Sequence, residues 1–315
     1  MSDLDPAPPV VTRGGRGGVP AAPVRELVAG RKAPLGDGTD VRRVLPTLGR
    51  RMVGAWCFFD HYGPDDVSAS PGMQVPPHPH TGLQTVSWLL AGDVHHRDSL
   101  GHDVVITPGS LGLMTAGRGI AHSEQSPVPH PALLHGTQLW VALPESAAGT
   151  TPAFAHHTDL PELTVDTARV RVVLGGFGGA TSPGRVFSPL VGLDVTVDGP
   201  AVLPVEPDFE HAAVAVDAGV TVDGVDLPVG SLLYLGTERR TLTVGGAGRI
   251  MLLGGEPFGE RIVMWWNLLG RSHDEVAALR EEWTAGAARF GRVPGWGDER
   301  TSAPPLPAGR LRPQR

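Results

Sequence analysis

The stretch Val75–Gln125 decides how this 315-residue chain is read. It begins VPPHPHTGLQTVSWLL (75–90) and ends LMTAGRGIAHSEQ (113–125), so that His78-Pro79-His80 stands near one end and His122-Ser123-Glu124 near the other. Side chains two apart on a β-strand point to the same face. Each tripeptide, if extended, therefore aims two metal-binding groups the same way: two imidazoles from the first, an imidazole and a carboxylate from the second. Set side by side, the two strands bring three nitrogens and one carboxylate oxygen together. Such a set suits a first-row transition ion: imidazole favours Zn, Cu, Fe or Ni, and carboxylate pulls toward harder ions. Four protein ligands on an ion that prefers six leave room for water, a substrate or dioxygen.

Outward from this stretch, the pattern is that of short strands. The 43 glycines and 31 prolines punctuate brief runs of Val, Leu and Ile, which favours many strands and tight turns over long helices. Upstream, Val41–Leu45 and Met52–His61 read as strands. Within the stretch, Thr85–Leu90, Val104–Thr107 and Leu111–Thr115 lie between turns at Ala91-Gly92-Asp93 and Pro108-Gly109-Ser110, and Leu134–Leu143 follows. A turn-rich linker is expected from Thr150 to Pro161. The second half repeats the rhythm at 170–174, 192–197, 212–216, 219–222, 231–235, 241–244 and 249–253, and Gly219–Gly230 echoes the turn spacing of Gly101–Gly109. A duplicated β-barrel is the expectation, with the metal pairs absent from the second copy, since no His-x-His occurs after residue 157. One helix is expected near 272–285: Ser272 is an N-cap, Glu275 completes a capping box, and Val276, Leu279 and Trp283 follow at helical spacing. Residues 1–23 are expected to be a flexible leader and 291–315 a mobile or surface-draped tail.

With 41% hydrophobic and 19% charged residues the chain is an ordinary globular one. A formal charge of −7 gives no footprint for nucleic acid. Cys57 is the single cysteine, which excludes an intrachain disulfide. No apolar run is long enough for a membrane span, and the acidic N-terminus lacks the features of a signal peptide, so a cytoplasmic protein is expected.

The residues of the central stretch resemble the pirin family of the cupin superfamily. His78-Pro79-His80-Thr81-Gly82 with Thr85-Val86, and Met114-Thr115-Ala116-Gly117-Arg118-Gly119-Ile120-Ala121-His122-Ser123-Glu124, follow the pirin signature nearly residue for residue. Phe58–His61, Gln138–Val141, Gly255-Glu256-Pro257 and Trp265-Trp266-Asn267 support it. The resemblance spans about 25–300. It implies an all-β bicupin: a metal-binding cupin at 24–149, a degenerate cupin at 150–290, and a short C-terminal helix. It places the family's iron ligands on His78, His80, His122 and Glu124. Gln84 stands where many cupins carry a motif glutamate, but pirins take their carboxylate from the later His-x-Glu pair. The expected cofactor is one mononuclear ion, Fe(II) first, with Mn, Ni, Co, Cu or Zn compatible.

Some pirins are quercetin 2,3-dioxygenases, which makes oxygen-dependent cleavage of a flavonol the expected activity. Residual positive charge on the ion would acidify a bound hydroxyl and stabilise a chelated enolate. Glu124 is then both ligand and the base that takes the flavonol proton. The expected partners are a flavonol-like molecule and dioxygen. The alternative is a non-catalytic iron-binding regulator, a redox-sensing partner of a transcription factor or metabolic enzyme. A bare scaffold would require both pairs to be incidental.

The remaining histidines receive plainer readings. His95-His96 and His156-His157 are adjacent, so neither forms a same-face pair, and both are read as surface or turn residues. His102 is read as a turn residue and His130 as a loop residue. His135 is read as packed or capping, and His211 and His273 as structural. His61 either lines the pocket or orients a ligand. Arg118 is placed at the mouth of the site, its flanking glycines serving turn geometry. Trp265 and Trp266 are read as packing residues, and Cys57 as a buried apolar side chain.

Overall fold

The computed structural model describes residues 24–35, 39–47 and 49–311, together with the backbone of a short strand β1 (Val11–Arg13). The rest of the expected leader lies outside the described residues. In chain order the first half supplies β2 (Glu26–Ala29), β3 (Arg31–Leu35), β4 (Thr39–Leu45), β5 (Trp56–Asp66), β6 (Gln74–His80), β7 (Leu83–Ala91), β8 (Val94–Asp98), β9 (Asp103–Ile106), β10 (Leu111–Thr115), β11 (Ile120–Gln125), β12 (Leu133–Ala142) and β13 (Ala153–His157). Glycines at positive φ close the turns between them, among them Gly92 (φ 82°), Gly101 (φ 94°) and Gly109 (φ 82°).

The first barrel is a seven-stranded sheet, β13-β10-β7-β12-β5-β4-β3, facing a four-stranded sheet, β6-β11-β8-β9. Tyr62, Leu89 and Leu134 of the larger sheet meet Val75 and Val94 of the smaller in one apolar cluster. Strand β7 shows the two-residue alternation plainly. Ser87 and Leu89 face into the barrel, while Gln84, Val86 and Trp88 face the second half of the chain.

The second barrel pairs Glu162–Val165, Ala168–Phe177, Leu190–Asp198, Thr241–Gly255, Glu210–Ala215 and Ser231–Gly236 in that spatial order, with β2 added at its edge. Its interior is aliphatic, with Val170, Val172, Leu193, Val195, Leu233 and Leu252 among the buried residues. The two barrels thus form the bicupin that the sequence leads one to expect. Strands are also exchanged across the expected boundary. Strand β2 completes the second sheet, β13 pairs with β10 of the first, and β1 pairs with Ile262–Met264. A large apolar cluster joins the two barrels, pinned by Trp56 Nε1 donating to the carbonyls of Val191 (3.2 Å) and Gly254 (3.1 Å) and by Trp88 Nε1 donating to Asp194 (3.0 Å).

The helix spans His273–Ala285, capped by Ser272, whose Oγ accepts from the Glu275 amide at 3.1 Å, and closed by Gly286 at φ 73°. A single additional turn lies at Glu145–Ala148. Beyond the long helix, the described part of the tail is draped over β6 and β11. Ala121 N donates to the Phe290 carbonyl (3.0 Å), Thr301 N to the Pro77 carbonyl (2.7 Å), and Trp296 Nε1 to Ser123 Oγ (2.9 Å). Phe290, Val293 and Trp296 pack there with Trp283 of the helix and with Trp265 and Trp266.

Candidate metal centre

Strands β6 and β11 lie antiparallel with His122 opposite His78 and Ile120 opposite His80. A register shift between His122 and Glu124 marks a bulge, a device that re-aims a side chain at the edge of a site. His78, His80 and His122 are fully buried and Glu124 is 1% exposed, whereas Ser123 between the pair bonds to Trp296 of the tail. The imidazole centroids of His78 and His122 are 4.3 Å apart, those of His80 and His122 5.0 Å, and those of His78 and His80 5.1 Å. The candidate ligand atoms of these three histidines all lie within 4.8 Å of one another, and those of His122 and Glu124 do so together with His96.

The hydrogen bonds show which nitrogen each ring presents. His78 Nδ1 lies 2.8 Å from the Pro76 carbonyl and His80 Nδ1 3.2 Å from the Asn267 carbonyl. A carbonyl can only accept, so the proton of each ring sits on Nδ1 and the lone pair on Nε2. His122 Nδ1 is 3.4 Å from His96 Nδ1. The three Nε2 atoms are buried with no hydrogen-bond partner. Three buried, unpartnered ring nitrogens in one space are costly unless something satisfies them, and a cation accepts the lone pairs of His78 and His80. Burial holds all three imidazoles well below their usual pKa, so they are neutral at pH 7, the form a metal requires. Ser87 Oγ donates to Glu124 Oε1 at 2.9 Å, which fixes the carboxylate plane. The donor set therefore fits a single transition ion.

Aromatic and charged groups pack behind the centre. Trp140 meets His80 edge-on at 5.0 Å and stacks on Phe58 at 3.9 Å, over which Arg43 lies at 4.5 Å. Arg43 makes two 2.8 Å bonds to Asp60, and both side chains are fully buried.

The structure brings the expected His78, His80 and His122 together and sets Glu124 with His122 and His96, but the groups packed around them were not foreseen. His96 is not a surface residue: it is 1% exposed, stacks on Phe154 at 4.0 Å, and faces Asp98 Oδ2 at 3.3 Å. Burial lowers its pKa despite the pull of Asp98. The reading of adjacent histidines as both outward fails because alternation turns one of them inward; His95 is the outward one, beside Asp103 at 2.5 Å. The signal available was His96-x-Asp98, itself a same-face pair. Burial pushes Asp98 up, but bonds from His96 and His102 outweigh it and hold its pKa below the usual range. His102, read as a turn residue, sits 2.8 Å from Asp98. The backbone carbonyl of Asn267, on the hairpin where Trp266 adopts φ 53°, carries no sequence signal of its own.

Other residues stand apart from the centre. His61 points away from the barrel interior and pairs Nε2 to Nε2 with His135 at 2.9 Å. Arg118 is exposed and bonds Thr151 rather than any of the four. Cys57 is buried, its thiol pushed up to about 12 by desolvation, and is no nucleophile.

The chain is similar to known proteins over most of its length. Residues 38–141 match the family described as Pirin and residues 191–291 that described as the Pirin C-terminal cupin domain. A Pseudomonas aeruginosa protein that carries the provisional name quercetin 2,3-dioxygenase is 43% identical over 286 residues, covering 90% of each chain. A pirin-like protein of Caulobacter vibrioides is 37% identical, covering 82% of this chain and 93% of its own. The crystal structure of a quercetin 2,3-dioxygenase from Acinetobacter baumannii superposes with a TM-score of 0.87 at 38% identity, covering 91% of this chain and 98% of the other. No helix among the described residues is long and apolar enough to cross a membrane. With both cupin halves matched and similarity running nearly end to end, the chain belongs to the pirin family.

Proposed function

We propose that this pirin is a metal-dependent dioxygenase that cleaves a flavonol with molecular oxygen, a reaction of the quercetin 2,3-dioxygenase type. The observation that carries the proposal is the convergence of three buried, unpartnered Nε2 atoms, with the Glu124 carboxylate close to His122. His78, His80, His122 and Glu124 would hold the ion, with Fe(II) as the expected occupant. When bound, such an ion supplies Lewis acidity toward a flavonol hydroxyl and a route for electron density to dioxygen. Support for the substrate class comes from the name of the Pseudomonas relative and from the Acinetobacter structure.

The chain's own groups then have distinct tasks. Glu124 takes the proton of the flavonol hydroxyl on its carboxylate, and Ser87 keeps that carboxylate oriented during the transfer. The carbonyls of Pro76 and Asn267 hold the His78 and His80 rings in place. The Trp140–Phe58 stack gives the site a rigid apolar wall.

The test is anaerobic: Fe-loaded protein is mixed with quercetin, air is admitted, and the visible band of the flavonol is followed. Wild type should bleach it only after air enters, while His78→Ala and Glu124→Gln should not bleach it at all. Equal behaviour of wild type and variants would remove the dioxygenase reading and leave the metal-bearing regulator.

A further inference from the structure

We propose that His96, oriented by Asp98, is a positioning residue for His122 and sets how tightly the centre holds its ion. The inference rests on the reading of His122 as a metal ligand and adds a side-chain support to it.

Two Nδ1 atoms 3.4 Å apart can bond only if one carries a proton and the other does not. If the proton is on His122, its Nε2 offers the lone pair to an ion, and the His96 proton must sit on Nε2, facing Asp98 Oδ2 at 3.3 Å. In the reverse arrangement, His96 Nε2 would present a lone pair to a carboxylate, and His122 would point a proton at the ion's place. The ionised Asp98 cannot donate, so it selects the first arrangement. Asp98 is itself fixed, accepting from the amides of Leu100 (2.9 Å) and His102 (3.1 Å) and from the His102 ring (2.8 Å). The His96 ring is clamped flat against Phe154, with only 8° between the planes. His78 and His80 lean on backbone carbonyls, which substitution leaves in place. His122 alone among the three imidazoles takes its orientation from a side chain.

Cobalt(II) titration of the metal-free full-length chain tests this through its visible absorption, with affinity read by competition against a chelator. His96→Phe keeps the aromatic stack but removes the acceptor, His96→Asn restores a carbonyl acceptor near the Nδ1 position, and Asp98→Asn removes the charge. Wild type should take one equivalent. His96→Phe and Asp98→Asn should bind about 10- to 100-fold more weakly with an unchanged absorption envelope, and His96→Asn should recover most of the loss. Unchanged affinity in both His96→Phe and Asp98→Asn overturns the proposal. So does an altered envelope shared by His96→Phe and His96→Asn, which would make His96 a ligand. Should His96→Phe not fold, as judged by its urea transition, Asp98→Asn decides alone. Retention of the cobalt equivalent in His122→Ala is a different result, and removes the underlying metal assignment instead.

Discussion

The interiors of the two barrels differ far more than their strands do. The second is filled with Val, Leu, Ile and Ala: Val170, Val172, Val195, Ala213, Ala215, Leu233 and Ile250 leave one histidine, His211, on the face it shares with Ala213 and Ala215. The first buries His78, His80, His96, His122, Asp98, Glu124, Arg43 and Asp60 within a comparable frame. An aliphatic interior is stabilised by burial alone. A polar interior costs free energy unless every group finds a partner; ion pairs and hydrogen bonds satisfy much of the first barrel's polar set, and the proposed ion would satisfy the three Nε2 atoms that have none. One copy of the fold is therefore an aliphatic scaffold, and the other carries the candidate site.

This contrast can be pressed at several points, beginning where the largest effect is expected. Asp60→Asn removes the charge from a fully buried carboxylate that accepts two 2.8 Å bonds from Arg43 and should cost about 3–5 kcal/mol in urea unfolding. A cost below about 1 kcal/mol would mean that the first barrel tolerates the loss of this buried ion pair and that the contrast is overstated. Metal should stabilise the protein by about 2.7 kcal/mol at a free concentration of 100 times Kd. His211→Leu should keep that gain and His122→Ala should lose it, and denaturant midpoints with and without chelator measure both.

The pH dependence sharpens the comparison further. Burial pushes the His211 pKa down to about 4, against a value near 6.5 in the unfolded chain. Between those two values the unfolded chain binds more protons than the folded one, so stability rises with pH across the window. It is lost as pH falls from about 6.5 to about 4, by up to about 1.4 kcal/mol per pH unit for this group. In metal-free protein, His211→Leu should flatten the curve by that slope, and an unchanged slope would place His211 in contact with water. The smallest effect is expected at Ser87: its replacement by Ala removes the 2.9 Å bond to Glu124 Oε1 and should weaken metal binding by about tenfold, read by competition with a chelator.

Much of this was legible in the chain. The pairs His78-x-His80 and His122-x-Glu124 announce themselves because alternation is a purely local rule, and the glycine and proline spacing announces short strands for the same reason. The capped helix from Ser272 was equally local. What stayed hidden depends on non-local pairing. His96 could be turned inward or outward until β8 was placed beside β11, where Glu124 stands opposite it. The Asn267 carbonyl reaches His80 across 187 residues of sequence. The exchange of β2 and β13 between barrels likewise depends on which sheet edges lie open, which no run of residues reveals.

A single ion seated in the first barrel is central to the proposed activity. Anomalous diffraction from crystals grown with Fe(II), Ni(II) or Co(II) tests this directly. One peak should appear per chain, about 2.0–2.2 Å from Nε2 of His78, His80 and His122 and from an oxygen of Glu124. A peak beside His211, or no peak near the three imidazoles at saturating metal, would contradict it.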